Sequence, residues 1–247
     1  MTRARRRSAP FVVAVTALAL TACGGEAPPQ VDSSSATTPA STPTPTSEEV
    51  DLPEQQQLTA EDVAAALPTK NEGPYPLDPK GFDAAAQSVR TTDPESCLAL
   101  YLDTPEMRTF KEEHAVEGEG RVYTLPQRSA APSLAVALWS HDEAYPKKFF
   151  DQAGAAISDC ARHGSRVNPD SSDADWQATT IPTPAMGDQS FGVRIGRPQI
   201  DMAIDYLWVR SGHNLITVRM RTGYQHTNDK RLSTYAQGVL DDLRTTP

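Results

Sequence analysis

Four things are scarce in this 247-residue sequence, and each absence closes off a class of function. Long apolar runs come first. The most apolar stretch, Phe11 to Leu20, spans ten residues, whereas a helix needs roughly 20 to cross a bilayer. A permanent membrane-spanning helix is therefore the weaker reading. Positive charge comes second: 23 Lys and Arg stand against 32 Asp and Glu, a net charge of −9. Such a chain lacks the basic footprint that nucleic acid or anionic headgroups require, so no nucleic-acid partner is expected. Cysteine comes third, with only Cys23, Cys97 and Cys160. They form no zinc framework with histidine, and no metal is expected. Catalytic motifs come fourth. There is no G-x-S-x-G elbow, S-x-x-K, H-E-x-x-H or phosphate loop, so neither an activated nucleophile nor a nucleotide cradle is in view. The chain is expected to be no enzyme and to use no cofactor.

What is present begins at the amino terminus. Arg3, Arg5, Arg6 and Arg7 precede the apolar run, and Leu20-Thr21-Ala22-Cys23 follows it, with Gly24-Gly25 behind. The order is that of an export signal, and its last four residues resemble the lipobox of a bacterial lipoprotein. The resemblance implies diacylglyceryl transfer to the Cys23 thiol, cleavage before it, and acylation of the new amino terminus with a chain such as palmitate. Each buried methylene contributes about 0.8 kcal/mol, so several chains anchor durably. Residues 1–22 then form the signal peptide, and the protein sits on the extracytoplasmic face of the cell membrane. A plain secretory signal with an incidental cysteine is the other reading. The first 22 residues carry four basic and no acidic side chains, which leaves 19 against 32 and a net charge of −13.

Residues 23–57 read as a disordered tether. Stretches such as Ser33-Ser34-Ser35-Ala36-Thr37-Thr38-Pro39 and Ser41-Thr42-Pro43-Thr44-Pro45-Thr46 have too little apolar surface to repay ordering. Their proline gives the tether polyproline character. A bare spacer and an O-glycosylated one are both open.

Residues 58–247 read as one α+β domain, an antiparallel sheet flanked by helices. Thr59 caps a first helix with Asp62 as its box partner, and Pro68 stops it. Residues 68–81 read as loop, and Cys97 to Leu102 as strand or buried turn. Glu106 to His114 suits a short helix and Arg121 to Leu125 a strand. In Ser133 to Ser140, Leu134, Val136 and Leu138 alternate with Ala135, Ala137 and Trp139, the period of a strand. Glu143 to His163 reads as the main helix, with Phe149, Phe150, Ala153, Ala156, Ile157, Cys160 and Ala161 as its apolar stripe and Gly164 as its C-cap. Strands are expected over Trp176–Ile181, Phe191–Ile195, Ile200–Arg210 and Leu215–Arg221. A helix from Asp229 to Arg244 closes the chain, its face made by Leu232, Tyr235, Ala236, Val239, Leu240 and Leu243.

Cys97 and Cys160 are an even pair in an oxidising compartment, which predicts a disulfide. Two buried free thiols are the alternative. Histidine offers little chemistry: His114 follows Glu112-Glu113 on what reads as a solvated helix face, and Asp142, next to His141, reads as a helix cap.

The last hairpin carries the best argument for a site. A loop of two or four residues around Gly212-His213 puts, in either case, Leu207, Val209, Ile216, Val218 and Met220 on the core face. Ile204, Tyr206, Trp208, Thr217, Arg219 and Arg221 then share the other face. Tyr206, Trp208, Arg219 and Arg221 are the candidate ligand-binding residues, suited to an anionic or sugar-like ligand by stacking and charge. The competing reading has the arginine stems simply covering the aromatics.

The opening Leu58-Thr59-Ala60-Glu61-Asp62-Val63, the placement of Cys97 and Cys160, the turn Gly187-Asp188-Gln189-Ser190-Phe191, the hairpin at Gly212-His213-Asn214 and the closing helix resemble the extracellular sensor domain of mycobacterial PknH-type serine/threonine kinases and related actinobacterial lipoproteins. The resemblance spans residues 58–244. It implies a helix-flanked antiparallel sheet with a cleft and a sensory or ligand-binding role without catalysis. The chain departs from those sensors in having no cysteines for a second disulfide and no attached kinase domain. The expected function is a lipid-anchored, non-catalytic envelope domain that binds a small molecule, an envelope polymer or a partner protein. The alternative is a structural lipoprotein, an accessory subunit of an envelope complex with a flat protein-binding face.

Overall fold

The computed structural model describes residues 52–78, 81–124, 132–167 and 173–245. The expected signal peptide, the lipobox cysteine Cys23 and residues 23–51 of the expected tether lie outside them. Eight strands make one sheet: β1 (Thr91–Asp93), β2 (Ala115–Thr124), β3 (Ser133–His141), β4 (Arg162–Arg166), β5 (Ala174–Thr180), β6 (Gln189–Arg197), β7 (Met202–Ser211) and β8 (Asn214–Thr222). Their order is β1-β4-β5-β6-β7-β8-β3-β2, and each neighbouring pair is antiparallel. The helices are α1 (Ala60–Ala66), α2 (Pro105–His114), α3 (Lys147–Ala156) and α4 (Asp229–Thr245). The fold class is α+β, as the sequence predicts.

Strand alternation gives the sheet two buried faces. On one, Leu134, Val136, Leu138, Leu207, Val209, Ile216, Val218 and Met220 pack under α1 and α4, which contribute Val63, Ala66, Leu232, Ala236, Val239, Leu240 and Leu243. Thr59 caps α1 and forms the expected reciprocal box with Asp62. On the other face, Phe191, Val193, Ile195, Tyr206, Trp208 and Leu215 pack with Phe149, Phe150 and Ala153 of α3 and with Cys97, Leu100 and Met107. The hairpin closes through a two-residue loop, with Ser211 opposite Asn214 and Gly212 at φ 53°, a conformation that favours glycine. The register pairs Tyr206 with Arg219 and Trp208 with Thr217, as the alternation predicts.

Several expectations need correction. The main helix does not run from Glu143 to His163. It occupies Lys147–Ala156, one further turn carries the chain to Cys160, whose N–H donates to the Ala156 carbonyl at 2.9 Å, and Arg162–Arg166 then pairs with β5 as a strand. Ala161 is exposed, and Gly164 opposes Asp93 and Asp175 instead of capping a helix. The segment at Cys97 is neither strand nor simple turn but a buried 3-10 helix, Glu95–Tyr101. Its Cys97 is joined to Cys160 by a disulfide, which ties that helix to the end of α3. Asp142 caps no helix: its carboxylate meets the Nδ1 of His114 at 2.9 Å, so His114 is paired at the end of α2 rather than merely solvated.

The folded chain also starts before residue 58. A short 3-10 turn, Pro53–Gln55, lies against the hairpin. Asn214 donates its amide to the carbonyls of Glu54 and Gln56 at 2.9 and 2.8 Å, and the buried Glu54 accepts from Arg244 Nε at 2.7 Å. Residues 52–57, read from sequence as tether, are therefore part of the domain. Among the described residues no helix is long and apolar enough to cross a membrane.

Candidate functional site

The second sheet face is not covered evenly. Three cross-strand rows explain why. In the middle row Gly120 opposes Ala137, Ala137 opposes Thr217, and Thr217 opposes Trp208. The rows on either side read Val122, Ala135, Arg219, Tyr206 and Gly118, Trp139, Leu215. Three adjacent strands thus carry almost no side chain along the middle row, and a hollow opens between the indole of Trp139 and the Tyr206–Trp208 pair. Helix α2 and the irregular segment 82–90 roof it. The resulting cavity measures about 920 Å³, within the range of small-molecule sites.

Aromatic rings form its ends. Tyr206 and Trp208 stack with centroids 4.9 Å apart and planes 2° apart, and Phe191 extends the stack beyond Trp208 at 5.8 Å. At the other end Phe82 meets Trp139 edge-on at 5.3 Å. Phe82 lies so close to β2 that a Cβ on Gly120 would fall 2.6 Å from its Cγ, so glycine there is what lets the roof descend. Lys111 places its ammonium 4.8 Å from the Trp139 ring centroid, a cation–π geometry. Burial pulls the Lys111 pKa below its ordinary value, with Asp103 and Asp83 acting in the opposite sense.

The segment 88–90 is pinned to α2 by Asp103. That carboxylate accepts from Arg108 Nε at 2.9 Å and Nη2 at 2.8 Å and from Ser88 Oγ at 2.5 Å, while Arg108 Nη2 also donates to the Arg90 carbonyl at 2.7 Å. Arg90 in turn lies over Tyr101, 4.0 Å from its centroid, and donates to Ser165 Oγ at 2.9 Å. The Tyr101 hydroxyl sits 2.8 Å from His163 Nε2. Since His163 Nδ1 faces the Cys160 carbonyl at 3.0 Å, Nδ1 carries the proton in the neutral ring, and Tyr101 is the donor to Nε2. Burial pushes the Tyr101 pKa up to about 12 and the His163 pKa down, so both are neutral near pH 7.

Of the four candidate residues, Tyr206, Trp208 and Arg219 line the cavity. Arg221 does not. It opposes Ser133 and Ile204, one step farther along β8, beyond the roofed part of the sheet. Tyr206 and Trp208 are buried, whereas Arg219 is exposed and makes no ion pair or hydrogen bond among the described residues. Sequence reasoning missed Phe82, Arg90 and Lys111, supplied by the roof, Tyr101, supplied by the 3-10 helix at Cys97, and Trp139, supplied by β3. One signal was available: small residues at Gly118, Gly120, Ala135 and Ala137, falling on the face opposite Leu134, Val136 and Leu138.

The cavity has two titratable groups that are engaged within the protein. Its histidine, His141, is buried, with Nδ1 2.9 Å from the His213 carbonyl, and burial pulls its pKa down to about 4 against the opposing effect of that hydrogen bond. The His114–Asp142 pair is not part of the lining. Asp103 is engaged by Arg108 and Ser88. Among the described residues no three His, Cys, Asp or Glu side chains are grouped to hold a metal ion.

No protein-family model matches the sequence, and no curated protein does. Solved structures do. The extracellular domain of PknH from Mycobacterium tuberculosis aligns with a TM-score of 0.60 at 14% identity, over 78% of this chain and 100% of that one. An uncharacterized protein from Mycobacterium smegmatis aligns with a TM-score of 0.36 at 11% identity, over 69% of this chain and 87% of the other. The chain has the fold of the PknH extracellular domain, the family its sequence resembles.

Proposed function

We propose that the protein is a lipid-anchored, non-catalytic domain of the cell envelope that binds a small molecule in the cavity on its second sheet face. The observation that carries this reading is the hollow itself, about 920 Å³ and walled by Phe82, Trp139, Tyr206 and Trp208. A flat accessory-subunit face, the rival reading, would have no reason to thin the sheet to Gly120, Ala137 and Thr217 and then roof the gap. Three features support an extracytoplasmic setting: the Cys97–Cys160 disulfide, which persists in oxidising compartments, the shared fold with an extracellular domain, and the Leu20-Thr21-Ala22-Cys23 sequence. The cavity lining supports a binding role: its one histidine is neutral and engaged, and Asp103 is held in an ion pair.

Two measurements test the reading. Intact mass of the protein from its native membrane fraction should show an acylated Cys23 amino terminus; an unmodified Cys23 would remove the anchor. For the cavity, the full chain carrying Cys23→Ser should bind the uncharged fluorophore N-phenyl-1-naphthylamine saturably, one per chain. Thr217→Phe, which fills the hollow from a half-buried position, should abolish the signal. No saturable binding, or binding that Thr217→Phe leaves unchanged, would count against a ligand cavity.

A further inference from the structure

We infer that the ligand is an anionic amphiphile, its acidic group held by Arg219 beside Arg90 and its apolar body lying over Ala135, Ala137 and Thr217. This rests on the cavity-binding reading above and adds the chemical class. The charge balance of the lining comes first. Four cations line the cavity, Arg90, Arg108, Lys111 and Arg219, with three carboxylates, Asp83, Asp103 and Glu112. Arg108 and Asp103 neutralise each other. Asp83 accepts from the Ala85 N–H at 3.0 Å in a local turn, and Glu112 is exposed on α2. Arg90, Lys111 and Arg219 form no direct ion pair among the described residues, and of the three only Lys111 feels nearby carboxylates, Asp103 and Asp83. Three such cations around one apolar cavity run against the net negative charge of the whole chain. A bound anion would supply the charged partner that Arg90 and Arg219 lack, through charge-assisted hydrogen bonds.

The position of the anion follows from the strand rows. Arg219 sits across from Tyr206, Tyr206 meets Tyr101 edge-on at 6.2 Å, and Arg90 lies on Tyr101. Two guanidinium groups therefore flank one end of the hollow. The arginine stem is not needed as a lid, because Tyr206 and Trp208 are already packed by Tyr101 and Phe191 while Arg219 stays exposed. Guanidinium suits both carboxylate and phosphate through paired N–H donors.

The body of the ligand follows from what the walls lack. The Tyr101 hydroxyl is taken by His163, the Ser88 hydroxyl by Asp103 and His141 Nδ1 by a backbone carbonyl. The floor offers methyl groups and the single hydroxyl of Thr217. Besides that hydroxyl the wall offers the indole N–H of Trp139, which is buried without a partner, and a sugar placed there would bury more hydroxyls than these two groups can pair, each unpaired one costing more than a neutral hydrogen bond returns. An alkyl chain or flat apolar ring has no such demand. This narrows the ligand class to amphiphiles, whose acid is either a carboxylate or a phosphate.

The test uses the uncharged naphthylamine as reporter on the full chain carrying Cys23→Ser, displaced by hexadecanoate, hexadecyl phosphate and hexadecanol below their aggregation limits. The two anions should displace the dye at concentrations at least tenfold lower than the alcohol. Whichever anion is the stronger identifies the source of the acid. Arg219→Ala should shrink the advantage of the anions over hexadecanol to less than threefold, with hexadecanol still displacing the dye, a change of ratio that misfolding would not give. Equal displacement by all three, or an anion advantage that survives Arg219→Ala, overturns the assignment and leaves the cavity standing. Absence of dye binding fails the cavity reading itself.

Discussion

Arg194 and Asp205 form a two-pronged ion pair across β6 and β7, with Nε and Nη2 of the arginine each 2.7 Å from a carboxylate oxygen. Asp205 is fully buried. Its second oxygen also accepts from Asn228 Nδ2 at 2.7 Å, and Arg194 Nη1 reaches the Tyr224 carbonyl at 3.0 Å while Nη2 donates to that of His226. The pair therefore fastens the loop that delivers α4 to the sheet. Removing one partner of a buried pair leaves the other charge uncompensated. Asp205→Ala should lower the stability of the domain by about 3–5 kcal/mol in urea unfolding. A change below about 1 kcal/mol would show that α4 docks without this pair.

The Cys97–Cys160 bridge closes a loop with a sequence separation of 63. In the chain-entropy picture a loop of that length contributes about 4 kcal/mol, by restricting the unfolded chain. The double substitution Cys97→Ala with Cys160→Ala should therefore lower the urea midpoint strongly. The α1/α4 face has no part in the bridge, so its amides should keep their relative protection in hydrogen exchange. Equal midpoints for parent and variant would contradict the stabilising role.

Much of this fold is written in local patterns, and its failures share one cause. The β7–β8 register follows from alternation and a two-residue glycine turn, and α4 from apolar spacing alone. For the aromatic face of β7 and β8 the local sequence offers only arginine stems as cover, because the actual cover comes from elsewhere: the 3-10 helix at Cys97, α2 and segment 82–90. The same distance in sequence hid the cavity, since Lys111 meets Trp139 and Tyr101 meets Tyr206 only through the tertiary fold. Helix α3 was overestimated because Cys160 and Ala161 kept helical spacing past its end. Pairing of Arg162–Arg166 with β5 overrode that spacing, as a sheet partner supplies backbone hydrogen bonds the isolated pattern cannot foresee.

Stability should fall on mild acidification, and His141 sets the window. In an unfolded chain histidine titrates near pH 6.5, whereas burial holds His141 at about 4. The folded state thus binds fewer protons in between. The contribution of neutral His141 is complete above the unfolded value and is lost as pH falls toward the folded one. The loss is on the order of 3 kcal/mol. His163 acts in the same direction. Thermal midpoints between pH 7 and 4.5 should drop in the parent and flatten in His141→Asn, whose amide can still donate to the His213 carbonyl. A parallel drop in both proteins would assign the effect to other groups.

Asp103 should govern how firmly the cavity is roofed. Segment 88–90 has no strand partner of its own, so its attachment is by side chains: Ser88 and Arg108 on one carboxylate, Arg108 on the Arg90 carbonyl, and Arg90 itself on Ser165 and Tyr101. Asp103→Asn keeps the volume but removes the charge and replaces one acceptor oxygen by a donor, which faces Arg108 with the wrong polarity. Charge-assisted hydrogen bonds are the strong ones, so the substitution should cost about 1–3 kcal/mol. Most of that cost should appear locally. Amides of residues 86–91 should exchange faster with solvent than in the parent, while those of β7 and β8 hold their protection. Arg90 would lose its fixed carbonyl and with it part of its hold over Tyr101, so dye release from the cavity should speed up more than dye entry. Unchanged exchange across 86–91, together with unchanged dye release, would mean that the roof is held by Phe82 against Gly120 and Trp139 instead.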